Sequence, residues 1–543
     1  MGNTMGKKMP VGRESFSEKI RSWTANIYLL IMLAVYPLFM VNGYMDLVYK
    51  KWAMFLYTTG VMVLFSVLWY LFGTKGNEKA IWFPWYLAGK AGRVKKDRES
   101  TWLPMDWFVI GYFICVIVSY LGASDRAFSL WGVDTWYTGF VSQMLFVGIY
   151  FMISTGYKKM PYLDVIAAAA GTLVAFIIVL QRFGVDAFSL YKGFGEDVKL
   201  NFVTTLGQVT WTSSYVSILL IVGMGVYFAG AEGQKRVLWA VCIGIGFMAE
   251  LLLNCDSGII AIIAALMIMV WLAVGNREKT MRFMEVIMFL LAAAAVTGIL
   301  ERILEGQMVP IDAVYLKVAQ SILIYPALAL AAFLYWLVKT DKICLDGKRK
   351  AVWIIKGIYL ALIGIAVIAA IVLFILHGKG YFSGSPTENY FRFTIWWGNS
   401  RGFIWRTGAA VFGDFGLWRK LFGCGPDGFT PYAYQLMGDA INEFWHNQLV
   451  PNVHNEWFNA VINYGLVGGI AYLGIFLSSA WACMKAAFCM EGEKKVVVFG
   501  CGLAAAGYIF HNVLCYQQII GTPFIFILMG IGAAKIRWDR RKK

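Results

Sequence analysis

Long apolar segments recur along the whole chain and are separated by short polar or basic connections. A helix needs about 20 mostly apolar residues to cross the hydrocarbon core of a membrane, which is about 30 Å thick. Fourteen segments approach or exceed that length: 25–44, 52–72, 106–122, 138–154, 162–181, 208–229, 237–253, 257–275, 284–300, 318–338, 352–376, 456–482, 496–514 and 517–534. The pattern predicts an all-α polytopic membrane protein with about 14 transmembrane helices and one long external loop. The exact number of spans stays open, since residues 254–257 and 515–516 are the only polar breaks between two adjacent pairs of segments.

Composition narrows the class of protein. The chain has 543 residues, of which 59% are hydrophobic and 15% are charged, whereas soluble domains carry about 25% charged residues. An ordinary water-soluble enzyme and a disordered chain are therefore excluded. The 22 Trp, 28 Tyr and 39 Phe residues suit a chain that crosses many membrane–water interfaces, where aromatic rings anchor. The nine cysteines form no CxxC pair, and we interpret them as small apolar residues of the interior.

The net charge of +16 is distributed in a way that predicts topology. Most Lys and Arg residues fall on every second connection, and such connections are cytoplasmic in multi-pass proteins of the cell membrane. Both termini are therefore predicted to be cytoplasmic. The basic runs at 95–98 and 540–543 then lie near anionic headgroups, and no nucleic acid is needed to explain them. The predicted regions are a cytoplasmic segment (1–24), transmembrane helices 1–11 (25–376), a long external loop (377–455), helices 12–14 (456–534) and a basic cytoplasmic tail (535–543).

The loop at 377–455 is too long to be a simple connection, and long ordered loops on a rigid scaffold usually carry function. Its chemistry-bearing side chains are His377, His446, His454, Arg392, Arg401, Arg406, Arg419, Trp396, Trp397, Trp405, Trp418 and Trp445. Guanidinium groups hold phosphate through paired hydrogen bonds, and indole faces stack on sugars. This set indicates an anionic, partly carbohydrate ligand. The alternative is a tryptophan belt at the interface with arginines on lipid headgroups.

Several segments carry a family resemblance. Residues 399–406 read NSRGFIWR, 421–429 read LFGCGPDGF, and 454–457 with 464–468 read HNEW and YGLVG. Together they resemble the R-x-x-x-W, G-x-G-x-x-x-F and H-N-x-x-L motifs of the O-antigen ligase and polymerase family. Weaker similarities lie at 128–140 and at 181–184 with 205–208. The chain departs from the family pattern at Gln208 and at 254–258, where the family commonly has an asparagine and an arginine, respectively.

The resemblance implies a GT-C-like glycosyltransferase that moves a glycan from an undecaprenyl-diphosphate carrier to an acceptor sugar hydroxyl on the outer face of the membrane. That reaction needs a base for the attacking hydroxyl and cations for the diphosphate leaving group. We expect His454 to be the base, with His446 as its rival. Arg401 is expected to bind the diphosphate, unless it forms a structural ion pair with Asp414 or Glu388.

Further substrate contacts are predicted around these two catalytic residues. They are Arg182, Arg406, Asn455, Trp405, Gly423 and Gly425. The glycines either present backbone N–H groups to phosphate or form a tight turn. No D-x-D motif is found on the outside, so we predict a metal-independent reaction without a cofactor.

The partners implied are the lipid-linked glycan donor, a glycan or lipid acceptor and the bilayer. The pattern does not separate a ligase from a polymerase, since both need the same base and the same arginines. A flippase for lipid-linked oligosaccharides, or another multispan transporter, is the alternative from a different class. The clustering of ionisable residues outside the predicted spans favours the enzyme, because transporters bind their substrates near mid-membrane. A structural role in an envelope complex makes no residue-level prediction.

Overall fold

The computed structural model describes residues 16–72, 102–311, 314–343, 346, 348–385 and 387–542. The first part of the predicted N-terminal segment, most of the basic connection before the third predicted span, including 95–98, and Lys543 lie outside the described residues. The described chain is almost entirely helical. A two-residue antiparallel pairing of Phe202–Val203 (β1) with Gly207–Gln208 (β2) interrupts the helices.

The helices of the first half follow the predicted apolar segments closely. They are α1 (Phe16–Leu30, continued by a π-helical turn at Ile31–Val35), α2 (Leu47–Phe72), α3 (Pro104–Leu121), α4 (Arg126–Trp131), α5 (Phe140–Gly156), α6 (Leu163–Arg182), α7 (Glu196–Asn201), α8 (Val209–Ala229), α9 (Gly233–Leu253) and α10 (Asp256–Ala273). The helices of the second half are α11 (Arg277–Ile303), α12 (Val314–Ala319), α13 (Ile324–Lys339), α14 (Arg349–Gly378), α15 (Glu388–Phe391), α16 (Trp397–Asp414), α17 (Leu417–Phe422), α18 (Phe429–Trp445), α19 (Glu456–Ala487), α20 (Gly492–His511) and α21 (Thr522–Lys542).

The helices identify a multi-pass membrane protein. Within the described residues, nine are long and apolar enough to cross a membrane, namely α2, α3, α6, α8, α9, α10, α11, α14 and α19, and α5 and α13 are shorter apolar helices. A helix overlaps each of the fourteen predicted segments. The count of fourteen spans stays a prediction, because the other five helices are shorter or carry charged turns.

Helix α8 is the centre of the bundle. Of its apolar length, 89% is buried inside the protein, and it packs against α9, α10 and α20. Its first turns carry small side chains, Thr212, Ser213, Ser214 and Ser217, all buried, and small residues let membrane helices approach closely. Helix α14 is the opposite case, since none of its most apolar stretch is buried. We expect the side chains of α14 to face lipid.

The two ends of the bundle differ, and we name them by their contents. The loop end carries residues 377–455, whereas the opposite end carries Asp164, Lys235 and Arg537. The long loop is itself folded: α16 and α18, together with connecting residues and the start of α19, surround a separate apolar core that contains Ile404, Val411, Phe429 and Val453. The apolar pattern did not predict the helices α15 to α18, because none of them is long enough or apolar enough to stand out from a loop.

Candidate functional site

Arg401 follows a tight left-handed turn at the loop end. Gly398, Asn399 and Ser400 have φ values of 60°, 58° and 67°, which cost free energy for residues other than glycine. At Gly402 an added Cβ would lie 1.9 Å from the carbonyl oxygen of Thr394, so no side chain fits there. The sequence around Arg401 therefore reverses the chain sharply and aims the guanidinium back toward the bundle.

The guanidinium of Arg401 is bound by carbonyl oxygens and not by a carboxylate. Its Nη1 donates to Gly398 O and its Nη2 to Leu514 O, each at 2.8 Å, while the buried Nε has no partner among the described residues. The carboxylates considered as its structural partners are used elsewhere. Asp414 accepts from Tyr432, and Glu388 is bound by Arg392. The positive charge of Arg401 is thus left without a counter-ion in the described part of the chain.

His454 lies in the loop just before α19 and is partly buried. Its φ is 53°, and the side chain of Asn452 accepts from its backbone N–H at 2.9 Å. The ring Nδ1 lies 3.2 Å from Asn452 O. Since a carbonyl oxygen can only accept, this hydrogen bond puts the ring proton on Nδ1 and leaves the lone pair of Nε2 available.

One short segment between α20 and α21 joins Arg401 to His454. Leu514 O accepts from Arg401, and the ring of Tyr516 packs edge-on against the His454 imidazole with centroids 4.9 Å apart. Tyr516 is held in turn by Trp136 at 4.6 Å and by a hydrogen bond from Trp211 Nε1 at 3.2 Å. The two predicted catalytic residues, 53 positions apart in the numbering, are therefore brought together.

The protonation state of His454 follows from this environment. Burial, and then the positive charge of Arg401, lower the pKa of His454 to about 4. The imidazole is therefore neutral at neutral pH, with Nε2 able to accept a proton. A bound anion beside Arg401 would offset its charge and raise the pKa of His454.

A buried carboxylate fixes the start of α19 against the same segment. The side chain of Glu456, 2% exposed, accepts hydrogen bonds from Tyr472 and from Tyr508, the latter at 3.0 Å. Its backbone N–H donates to Asn512 O at 3.0 Å. Tyr508 also bonds Thr522 at the start of α21. Through these hydrogen bonds, Glu456 connects the start of α19, just after His454, to α20 and α21, the helices on either side of Leu514 and Tyr516.

Arg182 occupies a different place from the one predicted. It is 1% exposed, and its Nη1 and Nη2 donate to Lys199 O and Leu200 O at 2.7 and 3.2 Å. Its role in the structure is to hold the 196–201 segment onto the end of α6. A diphosphate could reach Arg182 only if that segment moved.

The remaining predicted side-chain contacts have local roles. Arg406 is exposed and lies over the Phe393 ring at 5.6 Å. Trp405 stacks among aromatic side chains, with Trp397 at 5.3 Å. Asn455 caps α19, because its side-chain oxygen accepts from Phe458 N at 3.0 Å. Of the substrate contacts predicted from sequence, Asn455 is the one adjacent to His454 in the chain.

The glycines of the 421–429 motif form a tight turn. Gly423 N donates to Arg419 O at 2.7 Å, and Gly425 N donates to Asn463 O at 3.1 Å. Both have positive φ and leave no room for a Cβ, which at Gly423 would lie 2.2 Å from Asn463 O. Their N–H groups are already used, so the geometry favours the turn over the phosphate interpretation.

Asp427 in the same turn clamps two parts of the loop end together. Its carboxylate accepts from Thr138 Oγ1 at 2.8 Å and from Val133 N at 3.1 Å, residues of the connection between α4 and α5. Burial raises the pKa of Asp427 to about 6. The motif therefore acts by joining the connection between α4 and α5 to the long loop.

The other histidines do not share the environment of His454. His446 is exposed and ends α18 in a left-handed conformation, His377 bonds Thr387, and His511 bonds Asn512 within α20 and its cap. In the described residues no three His, Cys, Asp or Glu side chains cluster as metal ligands would. The metal-independent chemistry stays a prediction.

Sequence reasoning missed Leu514, Tyr516 and Glu456. The signal for the first two was the break at 515–516, which we used only to separate two spans; the polar run of Asn512, Gln517 and Gln518 around it indicated a buried polar site. Three segments that carry the resemblance, those of Trp136, Arg401 and His454, meet around this break. Neither the family models nor the curated proteins compared with the chain match it.

Proposed function

We propose that the protein is a multi-pass glycosyltransferase that transfers a glycan from an undecaprenyl-diphosphate carrier to the hydroxyl of an acceptor sugar. The observation that carries this proposal is the pairing of a guanidinium without a counter-ion, Arg401, with a neutral imidazole, His454, around one segment of backbone. The first suits a phosphate-bearing leaving group and the second suits a general base. The resemblance to the O-antigen ligase and polymerase family supplies the substrate class.

In the proposed reaction, His454 Nε2 takes the proton of the acceptor hydroxyl as its oxygen attacks the anomeric carbon. The bond from that carbon to the diphosphate oxygen breaks, and Arg401 stabilises the negative charge left on the diphosphate. Because the bound donor is anionic, it raises the pKa of His454 from about 4 toward neutrality, where a base works best. Substrate binding and activation of the base are therefore coupled.

The proposal places the reaction on the outer face, with both termini cytoplasmic, because Lys and Arg concentrate on the connections of the opposite end. Cysteine accessibility tests this placement. Single cysteines are introduced at Arg406 and at Lys235 in a chain whose Cys344 and Cys489, the latter exposed among the cysteines that the structure describes, are replaced by serine. They should react with an impermeant maleimide from outside and from inside the cell, respectively. Labelling of both from one side would contradict the topology.

The experiment that tests the function uses the purified protein with an undecaprenyl-diphosphate glycan and a sugar acceptor. Release of undecaprenyl diphosphate together with a lengthened or transferred glycan is the expected result. Translocation of the intact donor across a vesicle membrane without release would favour the flippase. The length of the product, a ladder or a single attached chain, separates a polymerase from a ligase.

A further inference from the structure

A long cavity opens at the end of the bundle opposite Arg401 and His454. Its volume is about 700 Å³, within the range of sites for small molecules. Its walls come from α6, α8, α9, α20 and α21, together with the connection that precedes α6. None of the groups assigned to glycan transfer borders it.

The shape of the cavity matches a hydrocarbon chain. On α21 it extends from Phe524 to Asp539 and on α8 from Tyr215 to Val226. At 1.5 Å per residue these stretches correspond to about 22 and 17 Å along the helix axes, more than half of the hydrocarbon core. Over that depth the walls are apolar, formed by Ile218, Val222, Phe524, Leu528 and Ile531 among others. A compact polar ligand would find no hydrogen-bonding partners along these apolar walls.

Charged side chains line the cavity only at its mouth, and they include both signs. The carboxylates of Asp164 and Glu493 are both bound by Lys235, each at 2.6 Å, and Lys159 lies 3.8 Å from Glu493. Lys535, partly buried on the wall, lies over the Tyr157 ring at 5.4 Å, and no carboxylate lies within 4 Å of it in the described part of the chain. The mouth therefore offers the ammonium group of Lys535 where a lipid headgroup would sit.

We infer that this cavity binds one lipid with a phosphate headgroup, its chain between α8 and α21 and its phosphate beside Lys535. Such a ligand matches two observations: a long apolar wall, and an unpaired cation, in the described residues, at the end where the charged side chains gather. The site goes beyond the proposed transfer, since it lies at the other end of the bundle. Phosphatidylglycerol and undecaprenyl phosphate share the required chemistry, and the experiment separates them.

Photo-crosslinking tests the inference on the purified full chain in phosphatidylcholine nanodiscs. Three probes carry a diazirine in the chain: phosphatidylglycerol, undecaprenyl phosphate and phosphatidylcholine. One of the two lipids with a net negative headgroup is expected to label peptides from 209–229 and 522–535 at least fivefold more than phosphatidylcholine. The probe that labels better identifies which of the two lipids the cavity binds. Equal labelling by phosphatidylcholine, or no adduct in these peptides, would overturn the inference.

Two variants sharpen this test. Leu528→Trp fills the cavity and should abolish labelling, whereas Lys535→Gln should lower labelling by the anionic probe several-fold and leave the phosphatidylcholine signal unchanged. Leu362→Trp, on the exposed face of α14, is the matched control and should label like the parent. Unchanged labelling in both Leu528→Trp and Lys535→Gln would refute the site. No sugar substrate is present, so the outcome is independent of the proposed transfer activity.

Discussion

Arginines at the two ends of the bundle have different partners. At the end opposite the long loop, Arg537 binds Asp106 at 2.5 Å and Arg236 binds Glu285 at 2.6 Å. At the loop end, Arg401 binds the carbonyl oxygens of Gly398 and Leu514. Within the described chain, Arg537 and Arg236 are thus neutralised by carboxylates, whereas Arg401 is not.

Under the proposed function, this difference is one between charge that stabilises the fold and charge that binds a ligand. A buried charge costs free energy unless it is paired and hydrogen-bonded. Asp106 is completely buried and accepts from Arg537, Tyr150 and Leu103 N, so the free energy of burying its charge is offset by partners within the protein. At Arg401 that free energy is offset only in part in the described chain, and the anionic donor of the proposed reaction would provide the missing counter-charge.

The largest expected effect is on the base at the loop end. His454→Ala should lower the rate of glycan transfer by about 100-fold to 10,000-fold, the usual contribution of a positioned base. The measurement is undecaprenyl diphosphate released per unit time by purified protein. His446→Ala is the matched control and should transfer normally. The reverse pattern would make His446 the base.

The comparison of Arg537 with Arg401 is tested by measuring the thermal stability of two variants. Asp106→Asn removes the buried carboxylate that Arg537 binds and should cost about 3 kcal/mol or more, seen as a clearly lower melting temperature in detergent. Arg401→Gln should change the melting temperature far less, because the loss of two hydrogen bonds is offset by removal of an unneutralised charge. If Arg401→Gln destabilised the protein as strongly as Asp106→Asn, Arg401 would be a structural residue.

A smaller loss of transfer activity is expected when Arg401 is replaced by a cation of a different shape. Arg401→Lys retains the cation but loses the planar fork that binds a diphosphate and the two carbonyl oxygens. Transfer should fall about 10-fold to 100-fold, with the affinity for undecaprenyl diphosphate reduced in parallel. The exposed Arg406→Lys serves as the control and should leave both unchanged. Unaltered transfer in Arg401→Lys would argue against fork-like binding of phosphate.

The smallest effect is a shift in titration. Arg401 is one cause of the low pKa of His454, so Arg401→Gln should raise that pKa above about 4, while burial keeps it below the ordinary value of about 6.5. The chain has only 4 His residues, so a ¹⁵N-histidine NMR titration can follow each one, with His454 assigned from His454→Gln. The His446 signal should not move. An unchanged His454 midpoint would place Arg401 too far away to act on it.

The sequence predicted the fold class well, for a simple physical reason. Apolar length and the alternation of basic connections are properties of the chain itself, and each predicted segment corresponds to a helix. The helices α15 to α18 were missed because none of them carries a long apolar run. Of these, α16 and α18 are stabilised by a small core of their own around Val411 and Phe429, which no apolar run reveals.

The geometry of the site could be predicted from the sequence only in part. The structure brings Arg401 and His454, chosen from the chemistry of the motifs, to one segment, and their catalytic roles stay predictions. The N–H groups of Arg182, Gly423 and Gly425 bind backbone of the same chain, as the Nη groups of Arg401 also do. Whether a polar group is already satisfied depends on which segments fold against it, and this is information that residue type and spacing do not contain.

The backbone between Leu514 and Tyr516 acts as a spacer between the guanidinium and the imidazole. Two peptide units extend at most about 7 Å, so the backbone atom that binds the guanidinium and the residue whose ring contacts the imidazole stay close to each other. In an enzyme of the proposed kind, the reacting geometry would stay constant while α15 to α18 changed their outer surfaces. New sugar specificities would then arise by substitutions on the outer surfaces of α15 to α18, while Leu514 to Tyr516 stayed unchanged.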